Sequence, residues 1–133
     1  MSVLSIKKFF QRMKYGFGCL LYLAYYYIAC IIGLAARYTK KYKNLWLIAE
    51  RKTEARDNGL HFFKYMTQNH GEVNTAFIID RNSPDFDRVS CLGTVIQPNT
   101  FSHMLAFACA KVRISSHYMG CAPDTYRFAI LKK

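Results

Sequence analysis

Residues 45–59 read LWLIAERKTEARDNG, and this stretch decides the fold. Its first five residues are apolar and include Trp and Ile, which is typical of a buried strand, and a charged loop follows them directly. Asp57 or Asn58 is placed to cap a helix after that loop. The apolar side chains that would share one face of this helix are Leu60, Phe63 and Met66. A strand, a loop and a helix in this order predict the first unit of a parallel α/β sheet.

The same alternation continues along the rest of the chain. The predicted strands lie at 75–79, 94–96 and 112–115, and the predicted helices at 84–91, 100–110 and 123–133. Right-handed crossovers between such strands form half of a doubly wound sheet and bring every loop that follows a strand to one edge. We therefore predict an α/β, Rossmann-like parallel sheet in residues 44–133, with any site at the carboxyl edge of its strands.

A long apolar segment precedes this domain. No charged residue occurs from Tyr15 to Ala36, and as a helix this segment would extend about 33 Å, enough to cross a bilayer. It is longer than the apolar region of a signal peptide, which disfavours that interpretation. Tyrosines in its middle prefer the headgroup level, so a spanning helix and a partly embedded one both stay open. The predicted divisions are a basic segment at 1–14, a hydrophobic membrane helix at 15–37, a basic linker at 38–43 and the domain at 44–133.

The charge balance points to an anionic partner. The 133 residues include 19 Lys and Arg against 8 Asp and Glu, a net charge of +11, and the 52% apolar content excludes a disordered chain. Phosphorylated substrates and an anionic membrane fit this charge. Nucleic acid is not expected, because the basic residues lack the aromatic platform of RNA-binding modules. Five cysteines without zinc-site spacing are predicted to be reduced thiols, and no phosphate-binding glycine motif follows a strand. We expect neither a metal nor a cofactor.

Two loops at the predicted carboxyl edge carry the candidate site residues. In the loop at 50–59, Arg51 or Arg56 could hold a phosphate near the start of a helix, beside Asp57 and Asn58. The alternative is a surface network of ion pairs in which Asp57 and Asn58 act only as caps. The loop at 115–120 offers two hydroxyl groups and an imidazole. The side chains concerned are Ser115, Ser116 and His117, of which His117 could be an acid/base, a phosphate ligand or a structural histidine.

Several runs of this sequence resemble a known family. They are LWLIAER at 45–51, EARDNG at 54–59, FFKY at 62–65, IDRNSPD at 79–85, LG at 92–93, ISSH at 114–117, MG at 119–120 and PD at 123–124. In this order and spacing they are similar to the opening of the CDP-glycerol glycerophosphotransferase family. The resemblance covers about residues 44–125 and does not include the apolar segment.

The resemblance implies a GT-B-like architecture in which two Rossmann-like halves face a cleft. Glycerol phosphate is moved there from CDP-glycerol onto a membrane-lipid-linked poly(glycerol phosphate) acceptor, in teichoic acid or capsule synthesis at the cytoplasmic face of a bacterial plasma membrane. This chain would supply most of the first half, which faces the acceptor, whereas the second half holds the donor. Arg51, Arg56 and His117 are then the candidates for contact with the acceptor or its phosphate, and His117 is the catalytic candidate.

The family's histidine-glycine motif, which looks like its catalytic base, is expected further downstream than residue 133. We therefore expect a fragmentary member that is inactive by itself. Two alternatives stay open. One is a non-catalytic, membrane-anchored Rossmann-like module that binds a polyanion or a partner protein, and the other is a different sugar transferase of the same two-domain class.

Overall fold

The structure is a computed structural model, and it describes residues 3–118 and 120–124. Its elements in chain order are α1 Val3–Ala36, β1 Trp46–Ala49, α2 Asn58–Asn69, β2 Thr75–Ile78, α3 Phe86–Ser90, β3 Thr94–Ile96, α4 Phe101–Cys109 and β4 Val112–Ser115. The predicted strands at 94–96 and 112–115 agree to the residue, and the other two agree within one residue. The helix predicted from Pro123 onward falls on residues 125–133, which lie outside the described part.

The four strands form one parallel sheet in the order β3-β2-β1-β4. This confirms the predicted α/β fold with a parallel sheet and an N-terminal apolar helix. β1 lies between β2 and β4, which explains its fully buried Leu47 and Ile48. Leu47 faces α4, whereas Ile48 faces the cluster that includes Phe63 of α2 and Val89 of α3. The core is therefore split into two layers, one on each side of the sheet.

The helix ends are set by local hydrogen bonds. α2 ends at Asn69, and its C-cap is His70, whose N–H bonds to the carbonyl of Met66. α3 begins at Phe86 rather than directly after Ser83. Ahead of α4, the capping side chain is that of Thr100, which accepts from the N–H of His103. Asn99, directly before this cap, has a φ of 59° and turns the chain into the helix.

α1 is one continuous helix that includes most of the basic segment predicted as a separate unit. Its apolar part, Gln11–Ala36, is 26 residues long and by length and composition could cross a membrane. Tyr22 and Ala29 of α1 form a buried cluster with Met104 of α4. The basic linker is fastened to the domain, because the amide of Asn74 donates 2.8 Å hydrogen bonds to the carbonyls of Lys40 and Lys43.

Candidate functional site

The two candidate loops meet at the carboxyl edge of the sheet. β1 and β4 are neighbours with Ala49 opposite Ser115, so the loops that follow them leave the sheet side by side. Nε of Arg51 lies 2.9 Å from Nε2 of His117, across 66 residues of sequence. Between and beside these loops lies a cleft of about 260 Å³, referred to below as the rim cleft. It is lined by Glu50, Arg51, Lys52, His117, Tyr118, Gly120, Ala122, Pro123 and Asp124.

Glu50 fills the anion site at the start of α2. Its carboxylate is buried and accepts hydrogen bonds from the backbone N–H groups of Arg56 at 2.8 Å, Asp57 at 3.0 Å and Leu60 at 2.6 Å. A Cβ at Gly59 would lie 2.7 Å from Cγ of Glu50, so this approach requires glycine. The N–H groups that attract an anion at a helix start are thus satisfied by the protein's own carboxylate. The start of α2 leaves no place for a phosphate from outside.

Arg56 does not line the rim cleft. Its Nε lies 3.0 Å from Oδ2 of Asp85, and the other oxygen of Asp85 pairs with Arg88 at 3.0 Å. Burial of Asp85 opposes its ionisation, but the N–H of Ala55 and the two guanidinium groups outweigh this and lower the pKa of Asp85. Arg56 therefore takes part in an ion-pair network, as the alternative interpretation of this loop predicted.

Asp57 and Asn58 stand at the start of α2 and do not line the rim cleft. Asp57 is the N-cap residue, and its carboxylate accepts from the N–H of Asn58 at 2.8 Å. Both are exposed. Their observed part is helix capping.

Arg51 and His117 form an exposed pair at the mouth of the rim cleft. The Arg51 side chain is 59% exposed, and its ion pair with Glu54 is long, at 3.9 Å. Because a guanidinium only donates, Nε2 of His117 must be the acceptor, which places the ring proton of neutral His117 on Nδ1. The pair offers a cation for an anionic ligand and an imidazole that can exchange a proton with it.

Ser115 and Ser116 shape the turn that carries His117. The hydroxyl of Ser115 donates to the carbonyl of His117 at 2.6 Å and accepts from its N–H at 3.2 Å. Gly120 packs beneath, where a Cβ would collide with this hydroxyl and with the carbonyl of Glu50. Ser116 donates its N–H to the carbonyl of Ala49 at 3.3 Å. Ser115 thus has a structural part in the turn, and Ser116 lies exposed next to it.

A polar network under the rim cleft escaped the sequence reasoning. Lys52 pairs with Asp124 and donates to the carbonyl of Ala122 at 2.7 Å, and Asp124 is also bonded to the amide of Asn99. Burial opposes ionisation of Asp124, but its bonds to Lys52 and Asn99 outweigh this and lower its pKa. The available signal was the position of Lys52 three residues after the end of β1. Its partners, Ala122 and Asp124, lie 70 and 72 residues away from it and cannot be found from spacing.

The environment of His103 was also not predictable from the sequence. It is fully buried on α4, where Nδ1 accepts from the N–H of Asn99 at 2.9 Å and Nε2 lies 2.9 Å from the carbonyl of Cys121. Burial is the main reason that its pKa falls from 6.5 to about 4. Neutral His103 therefore ties the loop after β3 to the chain segment that closes the rim cleft.

Comparison with known proteins adds one finding. Over 75 residues, 56% of its length, the chain is 36% identical to the minor teichoic acid biosynthesis protein GgaB of Bacillus subtilis (strain 168). The match spans 8% of the length of that relative. No family model matches the chain, and no solved structure matches it. The similarity to GgaB supports the resemblance of this chain to the teichoic acid glycerophosphotransferase family.

Proposed function

We propose that the chain is the acceptor-facing part of a glycerophosphotransferase that moves glycerol phosphate from CDP-glycerol onto a membrane-lipid-linked poly(glycerol phosphate) chain. The observation that carries the proposal is the exposed pair of Arg51 and His117 at the rim cleft. The acceptor is a polyanion that ends in a hydroxyl group. It needs a cation to hold a phosphate and a base close to the hydroxyl, and this pair supplies both.

Charge supports an anionic acceptor in this place. Lys52 lies at the base of the rim cleft with its charge matched by Asp124. Among the described residues, the carboxylate paired with Arg51 at the mouth is that of Glu54, at a distance of 3.9 Å. Exposed ion pairs at such a distance are weak, so a phosphate with better geometry displaces the carboxylate readily. The net charge of +11 draws polyanions toward the domain from further away.

The chemistry is an in-line displacement at the β-phosphate of CDP-glycerol. An oxygen of the acceptor hydroxyl forms the new P–O bond, the P–O bond to CMP breaks, and the hydroxyl proton passes to a base. When Arg51 turns to a bound phosphate, its N–H leaves Nε2 of His117, and the lone pair on that nitrogen becomes available for the proton. The donor is held by residues outside this chain, as the family resemblance implies.

The test is transfer by the longest natural polypeptide that contains this sequence, reconstituted in anionic vesicles with a lipid-linked glycerol phosphate primer. Labelled glycerol should enter the primer from CDP-glycerol and not from CDP-ribitol or UDP-glucose. Transfer from one of those two donors instead would assign the chain to another sugar or polyol transferase.

The same preparation separates the second candidate function, a non-catalytic module that binds polyanions. Soluble glycerol phosphate oligomers should bind and should shift the NMR signals of His117. Binding without transfer from any donor by that polypeptide would replace the transferase with the binding module. An absence of binding together with normal transfer would move the acceptor site away from the rim cleft.

A further inference from the structure

α1 is fastened lengthwise to the domain. From Tyr22 to Gly33 it runs alongside α4 in the same direction: the hydroxyl of Tyr22 donates to Asn99 at 3.3 Å, and the carbonyl of Gly33 accepts from the thiol of Cys109 at 3.6 Å. A Cβ at Gly33 would lie 3.1 Å from that of Ala108, so the two helices are at close range. The stretch of α1 from Tyr22 to Gly33, within the apolar part Gln11–Ala36, therefore lies along the domain surface.

This packing conflicts with a helix that crosses the bilayer. The residues of α1 that would lie in the hydrocarbon are the same ones that pack against α4. α4 in turn covers the four-stranded sheet, and among the described residues the outer edges of β3 and β4 are unpaired. Open sheet edges are not tolerated in hydrocarbon, because their N–H and C=O groups would lose their partners. Arg113 on β4 donates to the carbonyl of Phe107 on α4 at 2.6 Å and would be drawn in as well.

The opposite face of α1 is apolar and exposed. At 3.6 residues per turn, the side chains pointing away from Tyr22 and Gly33 form one stripe along the helix. This outer stripe consists of Phe17, Leu20, Ala24, Tyr27, Ile28 and Ile31. Four of these residues are 58–69% exposed, namely Phe17, Leu20, Tyr27 and Ile31. Arg12 and Arg37 fall on the other side of α1, toward the domain. An apolar stripe opposite basic side chains is the pattern of a helix that lies in the membrane interface.

The positive charge of α1 and the linker indicates what kind of partner covers the outer stripe. The first 49 residues contain no Asp or Glu, and Lys or Arg occupies positions 7, 8, 12, 14, 37, 40, 41 and 43. Such a segment is attracted to anionic lipid headgroups. At the border of the outer stripe, Tyr25 stands edge-on to Phe101 of α4, with ring centroids 6.4 Å apart. Partly exposed aromatic rings at that level suit the headgroup region.

We propose that α1 lies flat in the headgroup region of an anionic bilayer, with the outer stripe of Phe17 to Ile31 in the acyl boundary and the domain on the aqueous side. In this position the part of α1 before Tyr22 extends past the carboxyl edge of the sheet, because Tyr22 already meets Asn99 at that edge. The rim cleft then opens along the membrane surface. This inference does not depend on the transferase activity.

The depth of the stripe separates a flat helix from a spanning one. The full 133-residue chain is bound to phosphatidylglycerol vesicles that contain brominated lipids, as the single variants Phe17→Trp, Ala24→Trp and Ile31→Trp. The quenching of native Trp46, measured on the unchanged chain, is subtracted. A flat helix gives the same shallow depth at all three positions. A spanning helix places positions 17 and 31 about 21 Å apart along the bilayer normal, and such a gradient would overturn the proposal.

A vesicle flotation experiment tests the surface itself. Ile31→Asp should lower partitioning into phosphatidylglycerol vesicles about tenfold or more, and so should replacing phosphatidylglycerol with phosphatidylcholine. Tyr65→Asp is the matched control, because Tyr65 is 53% exposed on α2, far from α1, and takes the same change in charge. Equal losses in Ile31→Asp and Tyr65→Asp would overturn the proposal. So would a dimer in analytical ultracentrifugation that dissociates in Ile31→Asp and ignores vesicles, because the stripe would then be covered by a second copy.

Discussion

Nε of Arg51 donates a 2.9 Å hydrogen bond to Nε2 of His117, and the two residues come from loops that follow neighbouring parallel strands. The pairing is produced by the sheet order, since β4 returns next to β1 after two strands have been added on the other side. Both side chains are exposed, so their contact adds little to the stability of the fold. Substitutions here should report on binding and chemistry rather than on folding.

His117→Ala should reduce transfer by the intact protein about 100-fold or more if His117 accepts the hydroxyl proton. The free energy of unfolding should change by less than about 0.5 kcal/mol, as expected for an exposed side chain. Glycerol incorporation and urea unfolding measure the two effects. His61→Ala is the control, because His61 is exposed on α2 and does not line the rim cleft. Normal transfer by His117→Ala would assign His117 to the structure of the turn.

Arg51 and Arg56 lie in one loop, but we expect Arg51 to contribute to ligand binding and Arg56 to contribute to stability. Arg51→Gln should weaken binding of glycerol phosphate oligomers about tenfold and reduce its salt dependence, because a phosphate contact is lost. Arg56→Gln should leave binding unchanged and cost about 1 kcal/mol of stability, because it removes a partly exposed guanidinium from the buried carboxylate of Asp85, which keeps its pair with Arg88. Titration calorimetry at two salt concentrations compares them. Equal loss of binding in both variants would contradict the division.

The strands were predictable because their signal is local. Apolar, β-branched runs at 94–96 and 112–115 were bounded by turn residues, and right-handed crossovers then allow few sheet orders. The meeting of the two loops followed from that order. Even the position of His117 at the rim could therefore be predicted without any contact being known.

The partners of the charged residues were not predictable in the same way. In the sequence, Glu50 is one of six charged residues in a loop that was expected to lie at the surface. It is buried instead, because α2 begins directly over the end of β1 and the N–H groups of its first turn need an acceptor. Arg56 pairs with Asp85, which lies 29 residues further along the chain, and Lys52 pairs with Asp124, which lies 72 residues further along. Such pairs depend on how the helices pack against the sheet. The spacing of apolar residues in the sequence does not indicate that packing.

Glu50→Gln should destabilise the domain by about 1–3 kcal/mol. The amide keeps an oxygen acceptor but loses the charge that three backbone N–H groups share, and it turns a donor toward them. Gly59→Ala should have a similar or larger effect, since its Cβ would press on Glu50 from 2.7 Å. Urea unfolding is the measurement, with Glu54→Gln as the control at a half-buried position with one long ion pair. A loss in Glu54→Gln as large as that in Glu50→Gln would point to a general charge effect.

His103 should make the stability of the domain depend on pH. Its pKa is about 4 in the folded chain and 6.5 in the unfolded chain, because burial, assisted by nearby Lys52, outweighs the Cys121 carbonyl and Asp124. Between these values the unfolded chain binds a proton that the folded chain does not. The contribution of His103 to stability is therefore fully present above pH 6.5 and falls as the pH drops toward 4, by about 3 kcal/mol in total at 1.36 kcal/mol per pKa unit.

His103→Gln keeps an N–H donor for Cys121 but cannot titrate in this range. Urea unfolding between pH 7 and 5 should show a slope in the unchanged chain and in His61→Gln that is missing in His103→Gln. A slope that survives in His103→Gln would mean that another group titrates, and the buried imidazole would then not be the reason for acid sensitivity.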